Sequence, residues 1–197
     1  MEVELSSIKK PENNIENVEQ QNKSVQTSKK VSERFVICPT VQQEQTPIGW
    51  PLSNGFPPGY MVRIQGLAHR GGKRFEINFA FGPDYQKSRI AFHSSVRFGE
   101  GGDLVKNSYD VDKRWEDEER VANLPIAPGQ NFEIIVLCEP TKFKVAVGGV
   151  HFSEFDHRVP FTNIRHLDIR GDVTITLISY EDNTPQQRPK IENGYPL

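Results

Sequence analysis

From Arg34 to Glu181, apolar and polar residues alternate in short runs separated by Gly, Pro, Asn and Asp. Tyr60-Met61-Val62-Arg63-Ile64-Gln65 is one such run. Phe75, Ile77, Phe79 and Phe81 alternate with Glu76, Asn78 and Ala80, and Ile90 and Phe92 alternate with Arg89, Ala91 and His93. Phe132 to Cys138 is almost continuously apolar. Phe143, Val145 and Val147 alternate with Lys142, Lys144 and Ala146, and Val173, Ile175 and Leu177 alternate with Thr174 and Thr176. A period of two in β-branched and aromatic residues marks half-buried strands. No segment carries a long helical period. Many short strands with turn signals between them predict an all-β antiparallel sandwich or barrel. A Phe-rich interior suits two sheets packed face to face at about 10 Å.

The flanks differ from this region. Residues 1–34 hold no Gly and no aromatic residue and are rich in Glu, Lys, Asn, Gln and Ser. Such a stretch buries too little apolar surface to offset its ordering entropy, so a disordered N-terminal arm is expected. The folded domain is expected over 35–181, followed by a loose polar C-terminal tail over 182–197 that contains Thr184-Pro185-Gln186-Gln187-Arg188-Pro189.

Composition narrows the function. The 24 Lys and Arg against 26 Asp and Glu give a formal charge of -2, which argues against a broad electrostatic grip on nucleic acid or an anionic membrane. No apolar run reaches the roughly 18 residues of a membrane helix, so no membrane insertion is expected. The start Met1-Glu2-Val3-Glu4-Leu5 lacks the basic and apolar regions of a secretory signal. Cys38 and Cys138 stand far apart, against a disulfide framework or a cysteine zinc site, and Cys138 reads as a small buried hydrophobe. The cytoplasm is the expected compartment.

The segment Ile90-Ala91-Phe92-His93-Ser94-Ser95-Val96-Arg97 carries the candidate chemistry. Alternate strand residues share a face. Ile90, Phe92, Ser94 and Val96 are expected to face the core, leaving His93, Ser95 and Arg97 on one surface, about 6–7 Å apart. Asp103 to Asn107 can bring Asn107 to that surface from the next strand. After a polar turn comes Trp115-Glu116-Asp117-Glu118-Glu119-Arg120, in which Glu118 and Arg120 share parity and hence a face. A sugar offers hydroxyls that both donate and accept, plus one C–H face. His93, Arg97, Asn107, Glu118 and Arg120 can supply the hydrogen-bonding partners, and Trp115 a flat stacking surface. Glu118 between two arginines would stay ionised and hold both guanidiniums. His151, His157, Arg158 and His166 read as structural polar groups. Gly101-Gly102 and Gly148-Gly149 read as turns, since no helix pattern follows them.

These blocks resemble the carbohydrate-recognition domain of the galectin family over about residues 47–179. That family's signature is His-x-Asn-x-Arg, then Asn, then Trp-Gly-x-Glu-x-Arg. Here it reads His93-x-Ser95-x-Arg97, then Asn107, then Trp115-Glu116-x-Glu118-x-Arg120. Further similar blocks are Phe56 to Gly66, Arg74 to Phe79, Pro128 to Ile134, Phe143 to Phe152, Phe155 to Arg158 and Leu167 to Val173. The resemblance implies a galectin-type jelly-roll β-sandwich of two antiparallel sheets. It also implies a site for β-galactoside glycans on glycoproteins or glycolipids, with neither metal, cofactor nor catalysis. In that role Trp115 stacks on the galactose ring, His93, Arg97, Asn107 and Glu118 hydrogen-bond it, and Arg120 orients Glu118. The family's members are made in the cytosol and leave without a signal peptide. A homodimer would cross-link glycans by avidity.

The departures bear on specificity. Ser95 stands where the family has Asn, Ser94 and Val96 replace Phe and Pro, Glu116 replaces Gly, and the turn before Trp115 is longer by about one residue. Losing a neutral hydrogen bond costs about 0.5–1.5 kcal/mol. Ser95 is therefore expected in a weakened slot, and a module with altered or lost galactoside binding, acting on another glycan or a protein partner, is the competing reading. A sandwich-fold hydrolase would need two carboxylates at close quarters. Glu116 and Glu118 have the parity, but Arg120 beside them would depress the pKa of the acid, so no enzyme activity is expected.

Overall fold

The computed structural model describes residues 35–36, 44–99, 102–112, 114–184, 191–192 and 195–196. The arm expected over 1–34 lies outside them, as do Cys38, Gly101 and most of 185–197. The alternating runs form strands: β1 (Phe35–Val36), β2 (Glu44–Gln45), β3 (Ile48–Pro51), β4 (Tyr60–Ala68), β5 (Arg74–Ala80), β6 (Ile90–Arg97), β7 (Asp103–Asp110), β8 (Arg114–Trp115), β9 (Glu119–Ala122), β10 (Asn131–Cys138), β11 (Lys142–Val147), β12 (Val150–Asp156), β13 (His166–Gly171) and β14 (Val173–Asp182). One 3-10 turn spans Phe161–Asn163. Within the segment expected to be a loose tail, β15 (Ile191–Glu192) pairs with β16 (Tyr195–Pro196).

Two antiparallel sheets result. The first runs β1-β14-β4-β10-β11-β12, with β2 also paired to β14. The second runs β3-β13-β5-β6-β7-β8, with β9 also paired to β7. The chain changes sheet repeatedly, so β13 is inserted between β3 and β5 although it comes late in sequence. The pattern allowed an antiparallel sandwich or barrel, and the chain forms the sandwich, in the jelly-roll arrangement that the family resemblance implied. Gly148 and Gly149, at φ +58° and +79°, form the two-residue loop between β11 and β12, a conformation that suits glycine.

The inner faces meet in a stack of phenylalanines. Phe56 lies 4.7 Å from Phe79, Phe75 4.9 Å from Phe132, and Phe92 5.1 Å from Phe143 and 5.3 Å from Phe155, measured between ring centres. Burying one such ring is worth about 1.5–3 kcal/mol. Cys138 is fully buried in this core, and burial, helped by the charge of Glu139, pushes its thiol up to about 12.

Two bulges change the faces expected from strict alternation. In β6, Phe92 pairs with Phe79 but Ile90 pairs with Ala80, so the extra residue Ala91 turns Ile90 away from the core face. In β14 the register shifts between Ile175 and Leu177. Leu177 then pairs with Gln65 and is only half-buried, while Ile178 joins the core.

Candidate carbohydrate-binding site

The outer face of the second sheet presents four transverse rows, because paired residues in neighbouring strands point the same way. One row runs His166, Ala80, Ile90, Tyr109, Trp115. The next runs Asp168, Asn78, His93, Asn107, and the third Arg170, Glu76, Ser95, Val105, Arg120. The fourth runs Arg74, Arg97, Asp103, Ala122. The bulge at Ala91 places Ile90 on this face, between Ala80 and Tyr109. A hollow of about 330 Å³ opens here, lined among others by His93, Arg97, Asn107, Trp115, Glu116 and Glu118.

Trp115 is 44% exposed, and its ring packs against His93 at 4.7 Å and 61° and against Tyr109 at 5.2 Å. A large apolar ring is thereby fixed in place yet open to solvent. The turn leading to it is clamped by Arg89, which donates to Asp110 at 2.9 Å and to Asp112 at 2.8 Å.

His93 is only 6% exposed, and its Nδ1 lies 2.6 Å from Asn78 Oδ1. Burial, with the charges of Arg97 and Arg74, pushes its pKa down to about 4, so the ring is neutral at physiological pH. Glu118 accepts from Arg97 Nη2 at 2.8 Å and lies 3.7 Å from Arg120 Nη2. The hydrogen bond from Arg97, with the charges of both arginines, holds its carboxyl below the ordinary range. Arg120 also donates to Asp103 at 2.8 Å. The expected carboxylate between two guanidiniums is therefore present. Glu118 itself lies in the loop before β9, so shared strand parity is not what brings it to Arg120.

Asn107 anchors that loop. Its Nδ2 donates to the Glu116 carbonyl at 2.8 Å, and its Oδ1 accepts from the Ser108 amide at 2.8 Å and from Arg158 at 3.4 Å. One amide hydrogen remains for a ligand. Arg158, expected to be structural, reaches over from the bend that follows β12. It donates to the Asp117 carbonyl and to Glu119, both at 2.6 Å. Against the upward push of burial, Lys106 and Arg158 keep Glu119 ionised.

Ser95 keeps the expected face but lies deep in it. It is fully buried, flanked in register by Glu76 and Val105, its hydroxyl has no hydrogen-bond partner, and it does not line the hollow. A side chain this short ends below its neighbours. Conversely, Arg74, Glu76 and Tyr85 line the hollow without having been singled out by sequence. Arg74 pairs with Glu76 at 3.0 Å, and Tyr85 donates to Glu76 at 3.2 Å. Strand parity with Asn78 was the signal available for Arg74 and Glu76, whereas Tyr85 lies in the turn between β5 and β6, where parity says nothing. Among the described residues, no group of three or more His, Cys, Asp or Glu side chains is placed to hold a metal ion.

Comparison with known proteins agrees with this geometry. The family model described as Galactoside-binding lectin matches residues 47–180. The chain is a galectin. It is 34% identical to Galectin-4 of Sus scrofa over 74% of its own length and 45% of that protein's. It is 35% identical to Galectin-6 of Mus musculus over 66% of its length and 42% of that protein's. This galectin thus spans less than half the length of these relatives. Among solved structures, sheep Galectin-11 in complex with glycerol superposes with a TM-score of 0.62 at 25% identity, covering 70% of this chain and 98% of that one. The Caenorhabditis elegans galectin LEC-6 also gives 0.62, at 28% identity, covering 71% and 94%.

Proposed function

We propose that this galectin binds β-galactoside-containing glycans in the hollow on the second sheet and leaves them chemically unchanged. One observation carries the reading: a half-exposed Trp115 ring stands beside a neutral His93 and an Arg97–Glu118–Arg120 cluster. An aromatic face takes the C–H side of a pyranose, while fixed donors and acceptors take its hydroxyls. In this reading Trp115 stacks, and His93, Arg97, Glu118 and the remaining amide hydrogen of Asn107 hydrogen-bond the sugar. Arg120 orients Glu118. Ionised Glu118 serves as an acceptor and not as the protonated acid a hydrolase requires. The match to the family model described as Galactoside-binding lectin supports this ligand class.

A second reading, altered glycan choice or lost galactoside binding, is favoured by the burial of Ser95 and by the carboxylates Glu76 and Glu116 lining the hollow. Lactose titration followed by tryptophan fluorescence separates the two, with sucrose as control. Trp115→Ala assigns the signal, since Trp50 also emits. A saturable, lactose-specific change that vanishes in Trp115→Ala is expected. Silence at tens of millimolar lactose would overturn galactoside binding and leave the second reading.

A further inference from the structure

The His93 row continues away from the hollow through residues that no ligand need touch. Asn78 is fully buried on β5, in register with His93 on one side and with Asp168 of β13 on the other. Its Nδ2 donates to Asp168 Oδ2 at 3.2 Å. Asp168 is itself buried and is gripped by Arg170, whose Nε lies 3.0 and 2.7 Å from its two oxygens. Arg170 in turn stacks on Tyr85 at 4.3 Å.

This chain of bonds has only one consistent polarity. The Asp168 carboxylate, both of its oxygens turned to the Arg170 guanidinium, can only accept, so the Asn78 amide nitrogen must face it. The Asn78 carbonyl then faces His93, and it too can only accept, so His93 Nδ1 must carry the hydrogen. In a neutral ring Nε2 is then a bare acceptor. Were the Asn78 amide reversed, its N–H would meet Nδ1, the hydrogen would move to Nε2, and His93 would present a donor instead. We propose that Asp168 and Arg170 are positioning residues that set the His93 tautomer through Asn78, so that the hollow offers a fixed acceptor to a ligand hydroxyl. A neutral amide at position 78 suits this role, because it orients the ring without the negative charge that would favour an imidazolium between Arg97 and Arg74. That the hydroxyl belongs to a sugar rests on the function proposed above, whereas the tautomer itself does not.

The test is nitrogen-15 NMR of the histidine-labelled 197-residue chain at pH 7, without glycan, paired with lactose titration. His93 is expected to show a protonated, pyrrole-type Nδ1 and a pyridine-type Nε2. Asp168→Asn, which frees the Asn78 amide to reverse, is expected to give a mixed or inverted tautomer and to weaken lactose by about tenfold, a loss of the size of one hydrogen bond. Arg170→Gln, which releases the Asp168 carboxylate from the grip that aims it at Asn78, is expected to shift the tautomer in the same direction and supplies the comparison where Asp168→Asn fails to fold. A hydrogen on Nε2 in the native protein overturns the proposal, as does an unchanged tautomer in both folded variants. The expected tautomers with no lactose response in any protein would sustain the relay and remove only the galactoside reading.

Discussion

Acid will weaken this fold through His93 before most carboxylates titrate. Unfolded, the imidazole titrates near its ordinary 6.5; folded, burial and the facing Arg97 and Arg74 hold it at about 4. Above 6.5 both states are neutral and the group has no effect. As pH falls below 6.5 the unfolded chain takes up a proton that the folded protein refuses, so stability drops by up to one proton's worth per pH unit until about 4. Moving an ionisation from 6.5 to about 4, at ~1.4 kcal/mol per pH unit, amounts to ~3 kcal/mol. Against the 5–15 kcal/mol typical of a domain that is a large fraction. Urea unfolding between pH 7 and 4, for the native protein and for His93→Gln, measures it. The native protein is expected to lose ~3 kcal/mol more than the variant over that range. His166, held low mainly by burial, and carboxyls such as Glu133 and Asp172, held low in the fold, contribute to both proteins and largely cancel in the difference. Parallel stability curves would refute the reasoning, because they would mean that His93 is as easily protonated in the fold as out of it.

Two further substitutions probe the site from below and from behind. Arg158→Ala removes the bonds to the Asp117 carbonyl and Glu119 that brace the Glu116–Glu118 loop; lactose affinity is expected to fall about tenfold, with faster amide exchange across residues 116–119. Unchanged exchange would show that Asn107 suffices as the anchor. Ser95→Ala deletes a buried hydroxyl that has no partner, so lactose affinity measured by calorimetry is expected to stay within twofold and stability within ~1 kcal/mol of the native protein. A larger loss of affinity would place Ser95 in contact with the ligand after all.

By itself the sequence determined the sandwich and most of one functional face. Period-two alternation needs only the pleat of a strand, so Phe75, Ile77 and Phe79, and likewise Phe143, Val145 and Val147, could be assigned to the core without knowing their partners. The same local rule put His93 and Arg97 on one surface and let Asn107, Glu118 and Arg120 join them with Trp115 alongside, and the family signature agreed with that set. Parity fails wherever a strand takes an extra residue. Ala91 and the register shift beyond Ile175 reversed Ile90 and Leu177, and neither bulge carries a glycine or proline to announce it. What only the tertiary structure decided is pairing across long chain separations. Asn78 meets Asp168 from 90 positions away, and Arg158, in the bend after β12, reaches Glu119 from 39 away. Ser95 looked like a ligand by its spacing, yet Glu76 and Val105, brought beside it by sheet register, leave it fully buried. Strand order and register are properties of the closed sheets, and hydrogen bonds between distant strands exist only once those sheets have formed.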